Sequence, residues 1–251
     1  MGHLRHPTLM GISALGLFLL VAGCVATPEW YRMYQGPDRS HPELARRSKA
    51  VRVLALLPPD IKIYELTAGG VSELRDDWSA AGRETVSKAL MQAFKQRNIA
   101  VKRLAVERGA QEGFEEVYTL YRAVSASIIE HTYRDHPFPQ KLQHFDYSVG
   151  ALDTVLQRHQ ADGLVIVYGI DEISTAGRKA LRGVGLVLGA ITGQPVLSKG
   201  TTALSLALVD RSGSILWYKI EGDEGGFDLR DPESTTGFVQ QLVAGFPQVG
   251  R

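Results

Sequence analysis

Hydrophobic residues after position 50 follow two distinct spacings. Continuous apolar runs at 51–59, 163–170 and 201–210 predict buried strands, because a strand that is covered on both faces has no polar side. Apolar residues recur at helical spacing over 78–97 and 114–134, which predicts two amphipathic helices. The chain therefore alternates strands and helices, as α/β proteins do.

Shorter patterns complete the predicted order of elements. Asp231 is placed to cap a last helix that begins at Pro232. The order β-α-β-α-α-β-β-β-α predicts an α/β fold with a single mixed β-sheet covered by helices, in one domain over residues 51–251. The remaining predicted elements are an alternating run at 61–66 that either extends the first strand or forms a short edge, a strand at 99–104, a helix near 149–156, and a strand at 214–220 that forms a hairpin with the run before it.

The first residues carry a different pattern, a weakly basic start followed by the apolar run from Leu9 to Gly23. This arrangement is typical of a secretory signal peptide and is too short for a transmembrane anchor. The run ends at Cys24, the single cysteine of the chain. The segment is therefore a lipoprotein signal, an ordinary signal peptide, or a buried apolar segment with an inert cysteine.

The residues around the cysteine favour the lipoprotein signal. Val21-Ala22-Gly23-Cys24 resembles the lipobox of bacterial lipoproteins, in which the first three residues are recognised by the signal peptidase. The resemblance implies removal of residues 1–23 and acylation of Cys24, and two or three acyl chains anchor a protein stably. Val25 is not the aspartate that resembles an inner-membrane retention signal in enteric bacteria, so we expect the periplasmic face of the outer membrane.

The segment 24–50 begins with the acylated cysteine, and its composition predicts a tether between the anchor and the domain. It holds three prolines, mixed charges and no sustained hydrophobic period. Its aromatic residues either lie at the headgroup layer, where amphipathic rings are favoured, or dock on the domain. The sequence alone favours neither position.

Composition and motifs argue against several classes of function. The formal net charge of +1 disfavours a nucleic-acid partner, because phosphate binding relies on clustered basic residues. The run 183–189 has one residue too many for a dinucleotide fingerprint, so no cofactor is expected. His131, His136 and His144 match no metal-site spacing, and the adjacent carboxylates Asp171-Glu172 diverge in a strand. We therefore expect no metal site and no enzyme.

Two short motifs in the predicted strands resemble a known group. Leu57-Pro58-Pro59 closes the first strand, and Leu208-Val209-Asp210 is followed by a glycine turn and Ile215-Leu216-Trp217. With the lipidated amino terminus, these motifs resemble bacterial envelope lipoproteins such as the curli secretion channel lipoprotein. The resemblance implies an anticodon-binding-domain-like fold, also found in the amino-terminal domain of the TolB protein, and a non-enzymatic role in assembly or export. The long amphipathic hairpins with which the curli channel crosses the membrane have no counterpart in this sequence.

Glycines recur every four residues in the apolar run 183–193, a spacing that lets helices approach closely in a membrane. The run is about half as long as a membrane span of roughly 20 residues. It is therefore a helix or loop packed on the sheet, a contact between subunits of an oligomer, or a segment that dips into the bilayer. Gly185, Gly189 and Gly193 are the candidate contact residues for the last two hypotheses.

These patterns lead to two functional hypotheses. We expect a structural or adaptor lipoprotein that supports assembly or export of an envelope component through other envelope proteins and as a homo-oligomer. The alternative is a periplasmic ligand-binding or weakly catalytic envelope protein that uses the segment 118–147. A deep pocket with convergent polar groups favours the alternative, and an exposed apolar patch favours the adaptor.

Overall fold

The computed structural model of the chain describes residues 36–105, 111–192 and 200–250. Within these ranges eight strands form one mixed sheet and seven α-helices surround it. The strands are β1 (Arg39–Ser40), β2 (Leu54–Leu56), β3 (Asp60–Leu66), β4 (Ser72–Leu74), β5 (Val101–Arg103), β6 (Gly163–Ser174), β7 (Thr202–Asp210) and β8 (Ile215–Asp223). The helices are α1 (Leu44–Arg47), α2 (Asp76–Gln96), α3 (Gln111–Thr132), α4 (Pro139–Gln143), α5 (Asp153–Arg158), α6 (Ala176–Thr192) and α7 (Pro232–Leu242).

Strand β6 is the axis of the sheet. On one side, its first part pairs with β2 and its second part with β3, both in parallel. Pro58 and Pro59 separate β2 from β3, because proline has no N–H to donate to a ladder. On the other side β7 and β8 continue the sheet in antiparallel pairs. The strand order is β1-β8-β7-β6-β2-β5, with β4 paired to the outer side of β3.

Helices cover both faces of this sheet. The face under α2 and α7 buries side chains such as Leu56, Leu206 and Trp217. The opposite face, under α3 and α5, buries Ile166 and Tyr218 among others. Successive residues of a strand point to opposite faces, so strands covered on both faces are apolar at every position.

The predicted fold class, a single mixed sheet covered by helices, is confirmed. The hairpin of β7 and β8 and the two long helices α2 and α3 are present as well. Asp231 caps α7, where its carboxylate accepts a hydrogen bond of 2.7 Å from the Ser234 N–H. Hydrophobic spacing thus located the elements that form the two cores.

The order of elements and several boundaries differ from the sequence prediction. Helix α6 lies between β6 and β7, where the predicted order β-α-β-α-α-β-β-β-α has no helix, because the glycine run left helix and loop equally open. The predicted strand 51–59 forms a ladder only over Leu54–Leu56, and the run 61–66 lies beside β6 with β4 outside it. The central strand continues to Ser174, beyond its predicted end at residue 170. Strands β1 and β4 and helix α1 have two to four residues each, so they leave no hydrophobic period in the sequence.

The described part of the predicted tether packs on the domain. Strand β1 pairs with β8, and the Trp217 indole N–H donates to the Asp38 carboxylate at 2.7 Å. Arg39 donates to the Thr132 carbonyl at 2.6 Å, and its guanidinium lies 4.5 Å from the centre of the Tyr133 ring. Residues 38–40 are therefore held along the β8 edge of the sheet.

Candidate functional site

Most of the residues predicted to carry function lie outside the part of the chain that the structure describes. Val21-Ala22-Gly23-Cys24 and Gly193 fall outside the described residues. Gly185 and Gly189 lie on α6, the helix that follows the central strand. The glycine run therefore forms a helix as far as it is described, and the candidate site is built around α6.

Helix α6 exposes large apolar side chains. Leu181 is 51% exposed and Leu186 is 49% exposed. A Cβ atom added at Gly177 or Gly183 would have no neighbouring atom within 4 Å, so the helix is open at these positions too. Within the described ranges, no helix combines the length and the apolar character that crossing a membrane requires. Helix α6 thus presents large apolar side chains at its surface.

The first turn of α6 is fixed to the end of β3. The Thr175 N–H donates to the Leu66 carbonyl at 3.0 Å, and the Arg178 guanidinium donates to the Thr67 carbonyl at 3.3 Å. Arg178 is buried, and burial lowers the pKa of its guanidinium, although Glu172 acts in the opposite direction. The beginning of the helix is therefore anchored to the sheet by a buried cation.

Asp171 forms a buried polar site beside this anchor. Its carboxylate accepts hydrogen bonds from the Thr202 hydroxyl at 2.8 Å and from the Leu229 N–H at 2.9 Å. Burial raises the pKa of Asp171 to about 6, and the two hydrogen bonds limit the rise. Asp228 raises this pKa further and Arg230 lowers it. These contacts join β6, β7 and the loop before α7.

Trp78, near the start of α2, lies between two arginines. The Arg230 guanidinium is 4.0 Å from the indole centre, and the Arg75 guanidinium is 4.3 Å from it. Asp228 pairs with Arg230 at 2.7 Å, and Glu65 pairs with Arg75 at 2.5 Å. Guanidinium groups are attracted to the face of an indole ring, so the stack connects α2, β3 and the loop before α7. We call this stack and the Asp171 site together the base cluster.

The base cluster is built to hold elements together. Asp171 is fully buried, and both of its carboxylate oxygens already accept hydrogen bonds. Its neighbour Glu172 is partly exposed and accepts from the Ser72 hydroxyl at 3.0 Å. The two carboxylates therefore face opposite sides of the strand, in agreement with the divergence expected from their spacing. This geometry does not place an acid and a base on one reacting bond.

The three histidines near Pro137 and Pro139 do not form a common site either. The His131 Nδ1 lies 2.9 Å from the Tyr147 hydroxyl, and its ring stacks on Phe138 with centres 4.9 Å apart. His136 and His144 are exposed. Across the described part of the chain, no three side chains of His, Cys, Asp or Glu are grouped as ligands for a metal ion.

Sequence reasoning missed the base cluster. The available signals were a carboxylate directly after an apolar strand, at Asp171, and the polar, glycine-rich loop 221–230. Neither signal says that the loop returns to this strand or that Trp78 completes the cluster. The members lie on separate elements, and only the packing of those elements brings them together.

Comparisons with known proteins do not extend this picture. No model of a protein family matches the chain, and no curated protein matches it.

Proposed function

We propose that the protein is a lipid-anchored, non-enzymatic adaptor at the periplasmic face of the outer membrane. In this proposal Cys24 carries the acyl chains, and α6 makes the contacts that support assembly or export of an envelope component. The sequence supports the anchor through the lipobox-like residues before the cysteine. The observation that carries the contact role is the exposure of Leu181 and Leu186 on a helix whose first turn is anchored to the sheet.

The chemistry of α6 suits contact with another envelope protein or a second copy of the chain. Exposed apolar side chains favour association because contact removes them from water. Lys179 is exposed, and Arg182 is partly exposed, on the same part of the helix. In this proposal the small residues Gly185, Gly189 and Gly193 let a partner backbone approach closely.

The likeness to the curli channel and TolB group belongs to the same proposal. It is supported by the Leu57-Pro58-Pro59 motif and by the hairpin in which Leu208-Val209-Asp210 precedes Ile215-Leu216-Trp217. A mixed sheet covered by helices is compatible with that group. Members of the group act through protein contacts, which agrees with an adaptor role.

The proposal is tested by the mass of the detergent-extracted, lipidated protein, measured by light scattering after size exclusion. The test variant carries Leu181→Glu and Leu186→Glu, and the Cys24→Ser form shows the contribution of the anchor. Leu142→Glu is the matched control, because Leu142 is 43% exposed on α4, a different helix.

We expect the lipidated protein to form a complex larger than one subunit, alone or with a co-extracted envelope protein. The double α6 variant should lose this complex, and the Leu142→Glu control should keep it. An unchanged complex in the α6 variant would exclude the contact role of α6. A Cys24 that carries no acyl chain by mass spectrometry would exclude the anchor.

A further inference from the structure

A cavity of about 230 Å³ lies between α3 and the sheet. Most of its lining is apolar, from Ala126 and Ile129 on the helix and from Ile170, Ala203 and Ile220 on the strands. Ser125 and Ser205 add two hydroxyl groups, and Arg122 also lines the cavity. The cavity is separate from α6 and the base cluster, so a role for it is independent of the adaptor proposal.

Small residues on one face of β7 create this space. Leucines at 204, 206 and 208 fill the core under α2 and α7. The alternate residues Ala203, Ser205 and Ala207 face α3, where side chains of that size leave room. Ala126 is equally small on the helix. Ala126 is exposed, and Ile129 and Ile170 are only partly buried, so this space is a pocket that opens to solvent beside α3 and that a small molecule can enter.

The polar wall of the cavity is a buried hydroxyl network. Ser125 and the Tyr218 hydroxyl are 2.8 Å apart, and Tyr121 donates to Ser205 at 3.2 Å. Ser205 in turn donates to the Tyr168 carbonyl at 3.3 Å. Ser125 reaches Ser205 only at 3.5 Å, the longest contact of the network. A serine oxygen has two lone pairs, so Ser125 retains the capacity to accept a hydrogen bond from a ligand.

Among the described residues that line the cavity, the one charged side chain, Arg122, is already paired. The Arg122 guanidinium pairs with the Asp60 carboxylate at 2.5 Å and donates to the Thr119 hydroxyl at 3.2 Å. An anionic ligand would have to compete with Asp60 for this arginine. The site therefore suits an uncharged molecule.

We infer that this cavity binds a compact, uncharged, mainly apolar molecule that carries one hydroxyl group. An apolar cavity of about 150 Å³ is already large enough for benzene, so this cavity accommodates a single ring with one or two substituents. The apolar side chains contact the ring, and the ligand hydroxyl donates to Ser125. Phenols and cyclic alcohols of this size are the chemical class that matches the lining.

The test measures binding of 4-methylphenol by isothermal titration calorimetry to the full chain in its Cys24→Ser form. Toluene is the comparison ligand, because it has the same ring and methyl group without the hydroxyl. Ala126→Trp fills the cavity from the exposed side of α3. Ala123→Trp is the matched control, since Ala123 is exposed on the same helix and does not line the cavity. Ser125→Ala removes the proposed acceptor, and circular dichroism checks that each variant is folded.

We expect one molecule of 4-methylphenol per chain, with affinity at least tenfold weaker in Ala126→Trp and unchanged in Ala123→Trp. Ser125→Ala should weaken the phenol about three- to tenfold, the value of one hydrogen bond, and leave toluene unchanged. The absence of saturable phenol binding would overturn the inference, as would equal losses in the two tryptophan variants. Equal affinity for toluene and the phenol would overturn the role of Ser125.

Discussion

Replacing Asp171 by asparagine tests whether the base cluster holds a carboxylate with a raised pKa. The side chain is fully buried, and burial raises its pKa from 3.8 to about 6. A carboxyl group whose pKa is higher in the folded state stabilises the fold below its unfolded pKa. This stabilisation is lost as the pH rises through the folded pKa.

The size of the effect follows from the two pKa values. Each pKa unit is worth about 1.4 kcal/mol, so the full difference corresponds to about 3 kcal/mol. Asparagine does not titrate, and its carbonyl oxygen keeps the hydrogen bond from the Leu229 N–H. Thr202 then accepts from the asparagine amide, and its hydroxyl turns to the Phe227 carbonyl, which already lies 3.5 Å away. The variant therefore removes the titration while both polar atoms of the asparagine side chain keep a hydrogen bond.

The assay is urea unfolding of the wild-type and Asp171→Asn chains, followed by circular dichroism between pH 4 and pH 7.5. The free energy of unfolding of the variant minus that of the wild type should rise by about 2–3 kcal/mol between pH 4 and pH 6.5 and then level off. Other titrating groups are present in both chains and cancel in this difference. A difference that does not change with pH would refute the raised pKa.

Three further substitutions test local features of the fold by urea unfolding. Gly200→Ala should destabilise the fold by about 2 kcal/mol or more, because the φ of Gly200 is +107° and an added Cβ would collide with a backbone carbonyl of β6. The control Gly177→Ala, on α6, should be neutral or slightly stabilising, because an added Cβ meets no atom there. Asp231→Ala should cost about 1 kcal/mol through loss of the α7 cap, and Asp231→Asn should retain most of it; equal costs would contradict capping. Trp217→Phe removes the hydrogen bond to Asp38, so it should lower the free energy of unfolding by about 1.5–3 kcal/mol. The same substitution should cost clearly less in an Asp38→Ala background, where that bond is already absent. An equal cost in both backgrounds would show that the bond contributes little.

The candidate sites differ in how far the sequence could predict them. The glycine run was visible because its apolar residues and glycines are neighbours in the chain, and the structure places Gly185 and Gly189 on a helix. For the cavity, the sequence indicated the helix side of the lining but not the strand side. The segment 118–147 was suspected from its aromatic residues and histidines, but the lining residues on α3 face Ala203 and Ser205 from a strand some 75 residues further along the chain. The size of a void depends on both walls, and a sequence pattern describes one wall at a time.

Two properties of this protein are determined by the sequence itself. The spacing of apolar residues determines which segments become strands and helices, because each element must bury its own hydrophobic face. Local side chains such as Asp231, Pro58 and Pro59 determine where several elements begin or end, since they act on the adjacent backbone.

Tertiary structure alone decided which elements meet. It placed β2 and β3 one after the other along β6, and it brought Trp78 between Arg75 and Arg230. It also buried Asp171 far enough to raise its pKa. These outcomes depend on packing between segments that are distant in the chain, and on the removal of water from the space between them, which no local pattern records.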